Sequence, residues 1–280
     1  YYGHADEAAP VVAQEVRAVR ERAGLFDVSP LGKIEIRGND AGLFLDRLYT
    51  MSHANQPIGR TRYCLMLNET GAIIDDGVAC RLAKDRFYVT TTTGAVSRVH
   101  TEMLFWNTQW QLDVDVLNLT TSFGALNITR PHARSIVAQL ESDLDFDAAA
   151  FKYLDGRQGH LAGVPVLAMR IGFTGEASYE FHCPASLVAS LWASIMAAGA
   201  EHGLRPYGLE TSRVLRLEKG HILIGQDTDA MTTPQELGFD WAVSKKKPFF
   251  VGKRSIEMRA RLGLTRRLVG LRFPEGLRPL

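Results

Sequence analysis

Cysteine is scarce in this chain, with three among 280 residues: Cys64, Cys80 and Cys183. They are odd in number, far apart and set in apolar, strand-like surroundings. That excludes a disulfide framework and a zinc cluster, and it predicts reduced thiols packed in a core. Neither sign of charge dominates: 32 Lys and Arg face 31 Asp and Glu, for a formal net charge of +1. This balance gives no electrostatic basis for binding nucleic acid, a membrane surface or an acidic partner. No apolar run approaches the roughly 18–20 residues of a membrane span. The opening stretch, YYGHADEAAP, lacks the basic and apolar regions of a secretory signal. The expected location is the cytoplasm. Catalytic signatures are missing too. The eight histidines show no HExxH or His-x-His spacing, so no metal site is expected. There is no GxSxG elbow, no Walker sequence and no GxGxxG dinucleotide fingerprint. Any flavin or NAD would therefore bind outside this chain.

What is present is an ordinary globular balance, 46% hydrophobic and 22% charged, enough at this length for a large core or two lobes. The most informative stretch is residues 60–82, RTRYCLMLNETGAIIDDGVACRL. RYCLML reads as a strand, Asn68 to Gly71 as a turn, and IIDDGVACRL as the return strand. Side chains alternate across a strand. Asp76 is therefore expected to share a face with Ile74, Val78, Cys80 and Leu82, and Asp75 to share the other with Ile73, Gly77, Ala79 and Arg81. A carboxylate in line with four apolar side chains is costly unless something pairs with it. The pattern leaves two readings open: a rim acid satisfied by backbone N–H groups, or a functional carboxylate.

The rest of the chain alternates short strands and helices. A helix is expected over 10–24, closed by Gly24, then a loop and the strand KIEIR. Asp40 is placed to cap a helix with Phe44, Leu45 and Leu48 inward. RFYVTT (86–91) reads as a strand, and 93–107 as a helix with Val96, Val99, Met103 and Leu104 inward. Strands follow at 113–119 and 125–128, with a short helix from Pro131. In the second half, strands at 164–171 and 177–182 flank the turn GFTGE. Helices are expected over 187–202, 207–219 and 254–262. Turns too short for a crossover join several strand pairs, so the fold class is α+β, with antiparallel sheets backed by helices. RLVGLRF (267–273) reads as one more strand, which either joins an existing sheet or opens a further β-domain. The chain is read as a piece of a longer polypeptide.

Several segments together resemble one family. They are AGLFDVS (23–29), GRTRYCLMLNETGAIIDDGV (59–78), IGFTGEASYEF (171–181), YGLETSRVLRLEKG (207–220) and IGQDTDAMTTP (224–234). In order and wording they are similar to the glycine cleavage T-protein family, tetrahydrofolate-dependent aminomethyltransferases. SPLGKIEI, RFYVTTTTGAVSRV and FWNTQWQLDVDV resemble its sarcosine oxidase α-subunit branch in particular. The resemblance implies two interleaved α+β lobes around a central folate channel over 1–265, and a C-terminal β-barrel that only begins at 266–280. It implies methylene transfer: the imine of an N-methyl amine is captured as 5,10-methylenetetrahydrofolate, with flavin and NAD on other subunits or domains of a parent sarcosine oxidase.

Residue by residue, Asp76 matches the family's catalytic acid, with Asp75 as the fallback if the register slips and otherwise a solvent or turn partner. Tyr63 matches a channel-lining tyrosine, and Glu180 the glutamate that anchors the pterin; on its strand Glu180 alternates with Tyr179 and Phe181, facing a cleft or solvent. Gln226, in IGQDTD, falls in a loop that would order the site rim, or in a plain polar turn. Trp241 is read as packing on the folate ring system or as buried core. The T-protein arginine of the GLGARDSLRLE-type helix is absent, since Ser212 stands there. Arg213 lies about 100° round the helix and cannot substitute. Arg130 stands where the family has a Gly-Pro turn. Two other readings remain: a stand-alone aminomethyltransferase served by a lipoyl carrier protein, and a non-catalytic folate-binding module.

Overall fold

The computed structural model describes residue 2, residues 8–129 and residues 131–271. The chain runs α1 (Ala8–Glu21), β1 (Ala23–Asp27), β2 (Gly32–Arg37), α2 (Ala41–Leu48), β3 (Thr61–Leu67), β4 (Ile73–Ala83) and β5 (Arg86–Thr91). It continues through α3 (Val96–Trp110), β6 (Asp115–Asn118), β7 (Phe123–Thr129), α4 (Ala133–Val137), β8 (Gly156–Leu161) and β9 (Val164–Met169). The last elements are β10 (Ser178–Pro184), α5 (Val188–Gly199), β11 (Leu204–Pro206), α6 (Leu209–Lys219) and α7 (Lys253–Leu262). Two sheets result. The first has strand order β11-β1-β7-β10-β9-β8, the second β3-β4-β5-β2-β6. The chain enters the first sheet at β1, builds the whole second sheet, and returns at β7. This interleaving bears out the α+β expectation. The β1–β11 pair is parallel and the other described pairs are antiparallel.

Each sheet has an outer face packed on helices. Leu25, Leu126, Ile128, Tyr179, Phe181 and Ala168 of the first sheet meet Ala133, Ile136, Leu191 and Ile195 of α4 and α5. Ile34, Ile36, Cys64, Met66, Phe87 and Val89 of the second meet Phe44, Leu45, Leu48, Val99 and Met103 of α2 and α3. The inner faces then look at each other. Cys80 and Tyr88 of the second sheet pack with Leu167 and Met169 of the first, flanked by Val78 and Leu82. Each buried Leu or Phe is worth roughly 1.5–3 kcal/mol of transfer, so these three layers of contact fix how the sheets stack.

Several expectations need correction. A bulge on β4 shifts the pairing, so that Asp75 opposes Met66 while Ile73 opposes Leu67. Ile74 consequently packs with Cys64 and Met66 on the outer side. Ile73 joins Leu65 and Leu67 on the other, and it rather than Ile74 lines up with Asp76. Gly24 does not end a helix. It lies within β1, where a Cβ would come 2.5 Å from Val19 and 2.7 Å from Tyr207. Asp40 makes no side-chain cap; its Oδ2 accepts from the Asp113 amide at 3.0 Å instead. Leu104 of α3 is exposed. The residues of β1 were read as a helix end and a loop. Strands β8 and β11 escaped the sequence reading altogether. The first is a polar edge strand, GRQGHL, and the second is three residues long.

Residues 264–271 carry no strand. Arg266 pins them to Asp229 and Glu236, each at 2.8 Å, and the Leu268 amide donates to the Glu236 carbonyl at 2.8 Å. Residues 272 and 273 of the expected strand, and Arg130, lie outside the described residues.

Gly77 allows β4 to approach β5 beside Asp76, because a Cβ there would fall 1.9 Å from the Thr90 carbonyl oxygen. Gly77→Ala should lower unfolding free energy by about 1–3 kcal/mol, as overpacking does. An unchanged urea midpoint would contradict this close approach.

Candidate functional site

Strand β4 brings Asp76 to the inner face of the second sheet, opposite Leu65 and diagonal to Tyr63. Its flanks are Leu65 and Ile73 on one side and the Val78–Cys80–Tyr88 cluster on the other. Tyr63 donates from Oη to Asp76 Oδ2 at 2.8 Å. Burial raises the Asp76 carboxyl to about 6, against the pull of the Tyr63 hydrogen bond. Burial and the Asp76 charge push the Tyr63 phenol far up, so it stays protonated and acts as donor. One carboxylate oxygen, Oδ1, is left to accept a proton or face a developing cation. Asp76 is half-buried, and its side-chain partner is Tyr63.

Aromatic rings extend the wall. Trp241 lies tilted against Tyr63, with centroids 5.3 Å apart at 32°, and Phe239 packs edge-on to Tyr63 at 6.3 Å. Trp241 is nevertheless 62% exposed, which overturns the core-burial reading. An indole held on two rings with its other face in water offers a stacking surface to a planar ligand.

Glu180 sits on the inner face of β10. Its neighbours Tyr179 and Phe181 are outer-face core, as alternation requires, and Glu180 itself is buried rather than solvent-facing. Asn127 Nδ2 donates to Glu180 Oε2 at 3.3 Å, and the His182 Nε2 position is 2.8 Å from Oε1. A carboxylate has about four acceptor positions, so two remain for N–H donors of a ligand. Lys33 lies on the facing strand β2, fully buried, with Nζ donating to the carbonyls of Ser29 at 2.7 Å and Leu31 at 2.8 Å. Burial lowers its ammonium, while Glu180 and Asp27 pull it back up.

Asp75 is no solvent or turn partner. It is 2% exposed and accepts from Thr92 Oγ1 at 2.5 Å and, more weakly, from the Thr92 amide. Burial raises its carboxyl to about 8, with Asp76 adding to the rise and Thr92 opposing it. Gln226 is exposed in its loop, where its amide donates to the Leu223 carbonyl at 3.1 Å. That loop is ordered by Asp227, which accepts from Arg216 and from the Leu223 amide. Ser212 is buried in α6, while Arg213 is exposed and paired with Glu210 at 2.7 Å, in keeping with the helical spacing. His182, Tyr88, Asn127 and Phe239 were missed. For His182 the signal existed, since it lies two residues past Glu180 and must share its face.

Residues 1–247 match the family described as the GCVT N-terminal domain. The sarcosine oxidase subunit alpha of Corynebacterium sp. (strain U-96) is 44% identical over 253 residues, 89% of this chain and 26% of that protein. The aminomethyltransferase of Alkaliphilus metalliredigens is 34% identical over 265 residues, 94% of this chain and 71% of that protein. The solved structure of the glycine cleavage system aminomethyltransferase T from Bartonella henselae superposes with a TM-score of 0.80 at 27% identity, over 90% of this chain and 67% of that one. The chain thus spans about a quarter of the length of the sarcosine oxidase α subunit it matches.

The buried Asp75 has a consequence for stability. Its folded carboxyl, near 8, holds a proton that the unfolded chain releases near 3.8. The associated stability is fully present below about pH 4 and lost as pH rises through about 8. Asp75→Asn keeps the site neutral. Between about pH 5 and pH 8 the urea midpoint of the wild type should fall more steeply than that of the variant. Equal slopes would contradict the assignment.

Proposed function

The chain belongs to the GCVT N-terminal domain family, and on that premise we propose that it is the tetrahydrofolate-dependent methylene-transfer domain of a sarcosine oxidase α-like protein. It is related to both sarcosine oxidase α subunits and aminomethyltransferases. The observation that carries the reading is the pair of inner-face carboxylates, one with free acceptor positions and one held by a tyrosine beside an aromatic wall. The substrate would be the imine that a flavin-bearing subunit makes from sarcosine or a similar N-methyl amine, captured as methylenetetrahydrofolate in the cytoplasm.

Tetrahydrofolate, when bound, supplies the nucleophilic nitrogen that accepts the one-carbon unit. The chain's own residues do the rest. Glu180 offers its two unused acceptor positions to the adjacent N–H groups of the pterin edge, a charge-assisted pairing. Tyr63 and Trp241 give planar surface for the ring system, and Gln226 lies on the loop beyond them. Asp76, with Oδ2 held by Tyr63, keeps Oδ1 free to take up a proton and to steady positive charge. The apolar flanks Leu65, Val78 and Phe239 limit bulk water, which would hydrolyse the imine to formaldehyde. The 34% identity to an aminomethyltransferase of which the chain covers 71% favours one second reading, transfer from a lipoyl carrier protein. Stimulation by added carrier protein, in place of imine, would select it.

Calorimetric titration with 5-formyltetrahydrofolate tests the binding half. Glu180→Ala should weaken affinity by about tenfold or more, since hydrogen bonds to charge are worth ~1.5–3 kcal/mol. Unchanged affinity would remove the anchoring role. Asp76→Asn should retain binding and lose about 10²–10⁴ in methylene transfer. In the wild type, transfer should rise with pH through about 6 as Asp76 ionises; a flat profile there would contradict the role of its carboxylate.

A further inference from the structure

Glu180 and His182 stand two residues apart on the inner face of β10, and neither is free to turn. The His182 ring is fully buried. Its Nε2 faces Glu180 Oε1 at 2.8 Å and its Nδ1 faces the Tyr88 hydroxyl at 3.0 Å. Tyr88 comes from β5 of the other sheet, and its ring meets the imidazole edge-on at 5.2 Å. We propose that His182 is a positioning residue that holds Glu180 in the orientation needed to receive the folate edge, with Tyr88 holding His182 from across the two sheets. The proposal rests on the folate reading above and adds to it the machinery that aims the anchor.

The proton positions follow from the partners. A carboxylate only accepts, so the ring nitrogen facing it must carry the hydrogen. With that single ring proton on Nε2, Nδ1 is the acceptor for the Tyr88 hydroxyl. Burial and the Glu180 charge push the Tyr88 phenol far up, so it keeps the proton it donates. The second Glu180 oxygen is held by Asn127 Nδ2. The Asn127 amide is itself oriented, because its Oδ1 accepts from Thr129 Oγ1 at 2.9 Å. Each carboxylate oxygen thus has one fixed donor, and the plane of the group is set. One support comes from the same sheet and one, through His182, from the facing sheet. The chain Tyr88–His182–Glu180 therefore makes the anchor sensitive to how the two sheets are spaced.

The test is calorimetric titration of the full chain with 5-formyltetrahydrofolate, in the wild type and in His182→Leu, His182→Gln and Tyr88→Phe, with melting temperatures in parallel. A glutamine amide can stand in for the Nε2–H donor. His182→Leu should weaken binding about tenfold, and His182→Gln should restore it to within about threefold of wild type. In ¹⁵N spectra of the wild type, the His182 ring should show a protonated Nε2 and an unprotonated Nδ1, a pattern that Tyr88→Phe should disturb. Wild-type binding with His182→Leu equally tight, or affinities that follow melting temperature alone with no rescue by Gln, would overturn the positioning role and leave the folate reading intact. A protonated Nδ1 in the wild type would overturn it as well. No binding by the wild type would overturn both.

Discussion

Two carboxylates held on apolar inner faces set the terms for the rest of this molecule. A charge drawn partly or wholly out of water must find partners, and the partners here come from neighbouring and facing strands. Asp76 takes its hydrogen bond from Tyr63 on β3. Glu180 takes one from Asn127 on β7 and one from His182, itself tied to β5. Neither arrangement survives a one-residue slip of register, which would turn every side chain to the opposite face. The helices outside the sheets, the bulge in β4 and the close approach at Gly77 all serve to hold that register.

The interleaved topology explains why the sheets can be matched so closely. The second sheet is inserted between β1 and β7, which pair directly in the first. Both ends of the insertion are therefore tied to adjacent strands. The inner faces meet through Cys80, Tyr88, Leu167 and Met169, and the polar groups occupy the seams on either side. Asp76 lies between that cluster and the Leu65–Phe250 cluster, and Glu180 on the other sheet faces the buried Lys33. The Lys33 ammonium is held by the carbonyls of Ser29 and Leu31, so it does not occupy the acceptor positions of Glu180.

Much of this was legible in the sequence, and the gaps have physical causes. Strict alternation put Asp76 in line with Val78, Cys80 and Leu82 and set Glu180 opposite to Tyr179 and Phe181, and helical spacing separated Arg213 from Ser212. Alternation failed at Ile73 and Ile74 because a bulge changes the count by one and leaves no local mark in IIDD. Asp75 was read as a fallback acid or a solvent or turn partner because its partner, Thr92, lies beyond the end of β5, a contact set by tertiary packing. Trp241 divided between core and ligand surface for the same reason: nothing in LGFDWAV tells that its ring lies on Tyr63 with one face open. The polar edge strand β8 has too weak a pattern to announce itself. His182 was the avoidable omission, since period two alone puts it beside Glu180.

The most direct test of the account is a crystal structure of the chain with 5-formyltetrahydrofolate. The pterin edge should lie on the Glu180 carboxylate between the two sheets, with the ring system against Tyr63 or Trp241 and its reactive side toward Asp76. Folate bound on an outer face, or between the sheets without touching Glu180, would contradict it.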